Sequence, residues 1–381
     1  MSFALVEAAG SANRPAVVGV IGCGNISHVY LRTINDSPFL KLKGCSGRNH
    51  ATNAAQAELY GGVAMSIEEL LADPEIDIVV NLTPPLVHHA IGRRILEAGK
   101  HLYNEKPLTH SLDEARDLIA LASDKGLALG CAPDTWFGQP HQAARRAIDA
   151  GLIGGPVGGS LTMASHGMEY WHPTPEFFYL QGGGPMLDVA PYYLAQLVNL
   201  LGPIAEVTAL ASMPFATRTV TSRPGPRREI PVDVATSVNG ALLMESGANI
   251  AFTISWDVWK HRRPSLEIYG EKGSLACPDA NFFIGGYLAP EKAEYSLADG
   301  AWQSCPGQGE ESPRDMAYAP LGGPRGLGVA EMAIAIAEGR PPRADAELAF
   351  HILETILAVD RSAREKVAIE VRSRPPRPRP L

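Results

Sequence analysis

Between residues 16 and 131 the chain alternates short β-branched apolar runs with segments in which apolar residues recur every three or four positions. Buried strands separated by amphipathic helices make βαβ units, which pack as a parallel sheet covered on both faces. Residues 17–21, 40–45, 76–82, 101–104 and 127–131 read as the strands. The run 76–82 is apolar except at Asp77 and Asn81, as a strand buried on both faces requires. Helices are predicted over 25–34, 51–60 and 87–98, and from Ser111 to Gly126. A shorter one opens at the capping box Ser66-Ile67-Glu68-Glu69 and breaks at Asp73-Pro74. Gly61 and Gly99 end their helices by supplying the left-handed cap that a Cβ disfavours.

Past residue 140 the period changes. One helix (141–150) is followed by a strand (157–165), an aromatic segment around Trp171-His172, the run Gly182-Gly183-Gly184 and a helix over 186–201. Alternating segments at 204–213, 237–245, 248–258 and 265–269 predict a largely antiparallel sheet. The Gly- and Pro-rich stretch 278–328 reads as surface loop, and helices at 328–338 and 346–364 close the ordered chain. The tail 372–381 alternates Arg with Pro, which excludes helix and central strand and predicts an extended, mobile, solvated end.

The 381 residues, 45% of them apolar, are enough for two ordinary domains. The 33 Lys+Arg stand against 41 Asp+Glu for a net charge of -8, with no long basic block in the body of the chain. That pattern excludes a nucleic-acid footprint and favours a small-molecule partner. Cys23, Cys45, Cys131, Cys277 and Cys305 are odd in number and lack metal-ligand spacing. Residues 1–14 carry no charged start before an apolar core, and no apolar stretch reaches membrane-spanning length. A cytoplasmic chain with neither metal nor membrane partner is expected.

Gly22-Cys23-Gly24 follows directly on the first strand, where glycines serve a tight turn and a close backbone approach to a pyrophosphate. Ser27 takes the place of the third glycine, and Asn25 and Ile26 begin the helix whose first turn faces the phosphates. The predicted fold class is therefore α/β: an N-terminal Rossmann dinucleotide-binding domain (16–134) plus a C-terminal α+β domain (135–371) with an open, largely antiparallel sheet. Its C-terminal helix 346–364 is placed to pack back on the first domain. An acidic residue at the end of strand two would bind ribose hydroxyls and repel a 2′-phosphate. Here that region reads Cys45-Ser46-Gly47-Arg48-Asn49. Ser46 and Arg48 can instead donate to a phosphate, which favours NADP; Arg48 stacked on adenine would leave NAD.

Asn81-Leu82-Thr83-Pro84-Pro85 ends a later strand, so Thr83 and Pro84 are placed to floor a nicotinamide pocket. His88 lies one turn into the next helix. As an isolated histidine it is more often a structural hydrogen-bonder than a catalyst. Glu105-Lys106-Pro107 closes the strand after that, and Lys106 is the leading candidate for moving a hydroxyl proton. An ordinary lysine titrates near ~10.4, so burial beside a cationic nicotinamide would have to lower it; pairing to Glu105 at the surface is the competing reading. Asp188 and Tyr192 stand i and i+4 on a predicted helix and share a face that can reach one substrate. His166, Trp171, His172 and Tyr179 form a candidate sugar-contacting wall.

In order along the chain these motifs, with Ala98-Gly99-Lys100-His101, Gly183-Gly184 and Glu267-Ile268-Tyr269-Gly270, resemble the glucose-fructose oxidoreductase / inositol dehydrogenase / rhizopine catabolism (Gfo/Idh/MocA) family from about residue 17 to 371. The resemblance implies NAD(P)-dependent oxidation or reduction of sugars, inositols or their derivatives. It further implies cofactor contacts from Gly22, Gly24, Asn25, Ile26, Ser46, Arg48, Thr83, Pro84, His88, Glu105 and Lys106. Lys106 would be catalytic with Asp188 its partner across the cleft, and the open sheet would build a homodimer or homotetramer. The family usually has histidine where Tyr192 stands, so Lys106 acting alone, Tyr192 substituting, and His172 reaching in all remain open. It often has asparagine in place of Asp134 and arginine in place of Trp136, two positions on the expected substrate rim.

Three functions fit this reading: a sugar or polyol dehydrogenase or reductase, a glycoside-cleaving enzyme that oxidises its substrate transiently, and a non-catalytic nucleotide-binding sensor. Retention of Lys106 and Asp188 ranks the first above the third.

Overall fold

The computed structural model describes residues 14–223, 227–281, 291–298, 300–308 and 325–381. Its first sheet is built from β1 (Ala16–Ile21), β2 (Leu40–Ser46), β3 (Val63–Ala64), β4 (Ile78–Asn81), β5 (His101–Asn104) and β6 (Leu129–Cys131). The strands run in the order β3-β2-β1-β4-β5-β6, and every neighbouring pair is parallel. All four residues of β4 are buried, which explains its unbroken apolar run. Helices α1 (Ser27–Asp36), α2 (His50–Tyr60), α3 (Ile67–Ala72), α4 (His88–Glu97) and α5 (Leu112–Asp124) make the crossovers. The Ser66 capping box forms as predicted, and Gly61 takes the left-handed cap of α2 at φ 75°. Strand order reverses about β1 and β4, and the carboxyl ends of strands beside such a switch point bound a ligand crevice.

The second half contains α6 (Gln139–Asp149), β7 (Pro156–Ala164), α7 (Glu176–Tyr179), α8 (Pro185–Asp188), α9 (Ala190–Leu201), β8 (Ile204–Ser212), β9 (Thr217–Val220) and β10 (Arg228–Pro231). It continues with β11 (Ser237–Met244), β12 (Asn249–Ser255), β13 (Leu266–Gly270), β14 (Gly273–Cys277), β15 (Glu294–Leu297), β16 (Gln303–Ser304), α10 (Leu327–Ala337), α11 (Ala346–Glu365) and β17 (Ile369–Glu370). Nine of these strands form one sheet, β16-β15-β14-β13-β7-β12-β11-β8-β17, antiparallel except for the β7–β12 ladder. Leu161, Leu242, Phe252 and Ile254 on its inner face meet Tyr193 and Leu194 of α9 and Val359 of α11. Helix α11 also reaches the first sheet's core, where Ala346, Ala349, Phe350 and Leu353 pack with Leu118 and Leu129. One helix thus joins both halves, and each large apolar side chain it buries contributes roughly 1.5–3 kcal/mol.

Three sequence expectations need correction. The helix expected over 186–201 is divided at Val189, with α8 ahead of the break and α9 behind it. Part of the stretch 278–328 lies outside the described residues, and inside them β15 and β16 extend the sheet edge where loop was expected. The tail 372–381 is extended but packed rather than mobile and solvated. Arg145 Nη1 donates to the Pro378 carbonyl at 2.6 Å, Arg377 pairs with Asp149 at 2.8 Å, and the Leu381 amide donates to Gln142 Oε1 at 2.7 Å. Proline removes donors from the tail, but α6 and α9 supply partners for its carbonyls and guanidinium groups, which local composition does not reveal. The five cysteines are free and buried. Among the described residues no cluster of His, Cys, Asp and Glu could hold a metal ion, and no helix is long and apolar enough to cross a membrane.

Candidate active site

At the end of β1, Gly22 sits at φ 110°, and a Cβ there would lie 2.5 Å from the Leu82 carbonyl carbon. Only glycine fits such a position. Its amide donates to the Ser46 carbonyl at 2.8 Å, pinning the turn to β2. Gly24 is different: a Cβ there would meet nothing within 4 Å, so this backbone borders open space. Ser27, fully enclosed, donates from Oγ to the Gly24 carbonyl at 2.6 Å and starts α1 immediately behind. Asn25 is exposed and Ile26 half-buried at the helix entrance. An open backbone turn at a helix N-terminus is the chemistry a pyrophosphate requires, and these residues fit a dinucleotide.

The far end of this groove departs from expectation. Ser46 is 1% exposed, and its Oγ is enclosed without a hydrogen-bond partner among the described residues, so it is not presented to a ribose. It ends β2 in a run of three buried residues, where both faces of the sheet are covered. Arg48 is exposed, and Asn49 caps α2 by accepting from the Ala51 and Thr52 amides.

On the other side of the switch point, Asn81 Nδ2 donates to Asn104 Oδ1 at 2.7 Å, joining the ends of β4 and β5. Thr83 Oγ1 donates to Asn81 Oδ1 at 2.7 Å, leaving Thr83 half-buried and Pro84 exposed at the crevice. His88 does not reach that crevice. It is fully enclosed, with Nε2 2.8 Å from the Thr83 carbonyl and Nδ1 2.7 Å from the Pro107 carbonyl. Burial pushes its imidazole below the usual histidine range, although both carbonyls work in the opposite sense. His88 therefore staples two crevice loops together from behind. Glu105 also faces inward, with Oε1 accepting from the Tyr30 hydroxyl at 2.8 Å and Oε2 from the Lys106 amide at 2.7 Å.

Lys106 projects from this braced segment across to the second half. Its Nζ donates to Asp188 Oδ1 at 2.8 Å and to the Asp188 carbonyl at 2.5 Å, and it lies 5.1 Å from the centroid of the Tyr192 ring. The break at Val189 places Asp188 at the end of α8 and Tyr192 in the first turn of α9, and both still reach the same ammonium. Burial works against the Lys106 charge, but Asp188, Tyr192 and Glu105 outweigh it and hold the group above its ordinary value. The expected fall toward neutrality is thus reversed in this structure: Lys106 stands as a cation.

The expected substrate rim is only partly assembled. His172 is half-buried with Nδ1 accepting from the Thr174 amide at 3.1 Å. Burial lowers its imidazole, and the Asp188 charge acts on it in the opposite sense. Exposed Trp171 stands edge-on to it, with ring centroids 5.3 Å apart. His166 is half-buried and stacked on Trp259 at 3.3 Å. The other three face inward. Trp136 is fully buried, its indole donating to the Pro133 carbonyl at 3.0 Å. Tyr179 is enclosed, bonded to the Met168 amide and the Glu169 carboxylate. Asp134 is enclosed too, its Oδ2 accepting from the Tyr103 hydroxyl and from the Gly326 and Gly328 amides at 2.8 and 2.9 Å. Core packing claims aromatic and carboxylate side chains wherever partners exist: Trp136 and Tyr179 find theirs nearby in sequence, whereas Asp134 is met by the remote segment that carries Gly326 and Gly328.

The last of these segments brings a residue that sequence reasoning missed. Arg325 is fully buried with its guanidinium carbon 4.7 Å from the centroid of the Tyr192 ring. No local motif marks it.

A parallel sheet of this order, an open glycine turn at its switch point and a braced lysine ion pair beside it define the class of dinucleotide-dependent oxidoreductases. Residues 17–132 match the model described as oxidoreductase family, NAD-binding Rossmann fold, and residues 141–276 match the GFO/IDH/MocA C-terminal domain. The chain belongs to the Gfo/Idh/MocA family and is an NAD(P)-dependent oxidoreductase. It is 25% identical over 286 residues to the uncharacterized oxidoreductase YrbE of Bacillus subtilis (strain 168), a match covering 74% of this chain and 77% of that one. It is 29% identical to a 1,5-anhydro-D-fructose reductase of Ensifer adhaerens over 56% of this chain and 61% of the relative. In fold it is similar to a levoglucosan dehydrogenase solved with NADH, with a TM-score of 0.78, 20% identity, and coverage of 94% of this chain and 99% of that one.

Proposed function

We propose that this protein moves a hydride between NAD(P) and a secondary alcohol or ketone of a sugar, cyclitol or glycoside, with Lys106, Asp188 and Tyr192 handling the accompanying proton. The observation that carries this reading is the Lys106–Asp188 ion pair, 2.8 Å long and beside the Tyr192 ring, at the carboxyl edge of the parallel sheet. Gly22, Gly24, Asn25 and Ile26 would hold the pyrophosphate, with Thr83 and Pro84 toward the nicotinamide. The bound dinucleotide supplies or accepts the hydride. Lys106, kept cationic, stabilises negative charge on the substrate oxygen as its proton leaves or arrives. Tyr192 exchanges that proton, and Asp188 orients the ammonium. A carbohydrate substrate is supported by the assigned activities of the relatives, a 1,5-anhydro-D-fructose reductase and a levoglucosan dehydrogenase. Trp171 and His172 offer such a substrate an aromatic face and a ring N–H.

Because Ser46 faces inward, the preference for NADP rests on Arg48 alone. Copies of the chain would meet through the outer face of the nine-stranded sheet, where Leu210, Leu243 and Tyr269 are exposed. The primary test is a screen of levoglucosan, 1,5-anhydro-D-fructose, myo-inositol and simple glycosides with NAD and NADP, read by absorbance of the reduced nicotinamide. Turnover of at least one is expected; inactivity across the panel with both cofactors would sink the substrate class. Consumption of a glycoside without net change in the nicotinamide would favour cleavage over dehydrogenation.

A further inference from the structure

Two cations lie against the Tyr192 ring. Lys106 Nζ is 5.1 Å and the Arg325 guanidinium carbon 4.7 Å from its centroid. Lys106 is ion-paired to Asp188 at 2.8 Å. Arg325 is fixed by its own set of polar contacts. It is fully buried, its Nη2 donates to Asn281 Oδ1 at 2.8 Å, and its carbonyl accepts from Thr33 Oγ1 of α1 at 2.6 Å. The next turn is clamped by Asp134 Oδ2, which accepts from the Gly326 and Gly328 amides. Backbone and side chain are therefore fixed before any substrate arrives. Burial disfavours the guanidinium charge, but Tyr192, Asp134, Glu105 and Tyr30 outweigh it.

We propose that Arg325 is a positioning residue that stabilises the negative charge Tyr192 acquires when it gives up its proton. This rests on the reading of Tyr192 as the proton-exchanging group. In the reducing direction the Tyr192 O–H bond breaks and its proton passes to the substrate carbonyl oxygen, while the carbonyl carbon receives the hydride that a reduced nicotinamide would supply on being oxidised. A phenolate is left and is reprotonated from solvent. Charge developing on an aromatic ring in a dry site is best met by a cation that needs no reorganisation. Among the described residues, Lys106 and Arg325 lie against the Tyr192 ring, Asp188 and Glu105 act on the Lys106 charge, and Asp134 and Glu105 act on that of Arg325. Among these, the buried Asp134 is relevant chiefly as the clamp on Arg325, which gives this carboxylate a purpose its place off the substrate rim would otherwise leave unexplained.

The test is a double-mutant cycle. Arg325→Met and Arg325→Lys are made in the parent chain and in Tyr192→Phe, and kcat is measured on the best substrate among levoglucosan, 1,5-anhydro-D-fructose and myo-inositol. NADH affinity is followed by fluorescence titration. Arg325→Met is expected to lower kcat roughly tenfold in the parent and to have little further effect in the Tyr192→Phe background. Arg325→Lys should restore most of the loss, with NADH affinity unchanged throughout. Equal losses in both backgrounds, or a lysine variant as impaired as the methionine one, would overturn the proposal. Parental activity in Tyr192→Phe alone would instead remove the reading of Tyr192. If Arg325→Met does not fold, Arg325→Gln takes its place in the same cycle.

Discussion

Lys106 Nζ lies 2.8 Å from Asp188 Oδ1, so a side chain at the rim of the nucleotide-binding sheet is ion-paired to one from the second domain. The contact joins the two halves at the carboxyl edge of the parallel sheet. Lys106→Ala is expected to abolish turnover while leaving NAD(P) affinity within a few-fold of the parent. Asp188→Asn, which keeps shape but loses charge, should lower kcat by roughly 10²-fold. Steady-state kinetics beside cofactor titration separates these effects, and near-normal turnover in Lys106→Ala would overturn the assignment.

The same pair makes a statement about pH. Asp188, Tyr192 and Glu105 raise Lys106 above its ordinary 10.5 against the opposing effect of burial. A raised ammonium contributes stability that is fully present below its unfolded value and is lost only as pH climbs through the folded one. The melting-temperature difference between the parent and Lys106→Met should therefore stay level from about pH 6 to about pH 9. A difference that shrinks steadily across that interval would contradict the sign.

Gly22 and Gly24 separate folding from binding. Alanine at Gly22 would meet the Leu82 carbonyl carbon at 2.5 Å and would need φ 110°, so Gly22→Ala should destabilise the chain by about 1–3 kcal/mol. Alanine at Gly24 meets nothing within 4 Å, so Gly24→Ala should melt like the parent yet bind NAD(P) at least about tenfold more weakly. Calorimetry and fluorescence titration check the two, and undiminished affinity in Gly24→Ala would move the pyrophosphate elsewhere.

Arg48 is the surviving candidate for reading a 2′-phosphate. Arg48→Ala should weaken NADP by roughly tenfold and NAD hardly at all. An unchanged ratio of the two affinities would assign Arg48 no part in cofactor choice.

Burial holds the His141 and His351 imidazoles down at about 4. A depressed histidine contributes stability that is present above the unfolded value of 6.5 and is lost as pH falls through the folded value. Asp345, raised to about 6 by burial, and Asp134, raised in the same direction, oppose this over part of the interval and are outnumbered once His88, His101 and Asp77, all lowered, are counted with His141 and His351. Melts at about pH 7 and about pH 4.5 should differ by roughly 5–10 °C, and His351→Gln should narrow the gap.

How much of the site was legible follows from where each residue's partners lie. Gly22 was readable because a left-handed turn after a strand is a local requirement of the backbone, and Lys106 because it ends a strand at the crevice edge. Asp188 and Tyr192 were readable despite the break at Val189, since one residue of irregular backbone still leaves both facing the same ammonium. Asn81 and Asn104 carried a usable signal, polar residues ending otherwise apolar strands, that was not used for the site. Ser46 was expected at a ligand from its place after strand two, Tyr179 from its aromatic type, and His88, Glu105, Asp134 and Trp136 from the family resemblance; all six face inward.

Periodicity and turn chemistry, acting over a few residues at a time, were sufficient for the strands and helices of the first sheet, the glycine turn and the ends of the strands where chemistry collects. Which way a polar side chain turns, whether the Arg-Pro tail is solvated, and which second cation reaches Tyr192 were decided by packing. Arg325 is brought to that ring with the help of Thr33, which binds its carbonyl, and Asp134, which binds the Gly326 and Gly328 amides beside it, both remote in sequence. Burying a polar group is costly unless a partner meets it, and the partner is supplied by the tertiary fold.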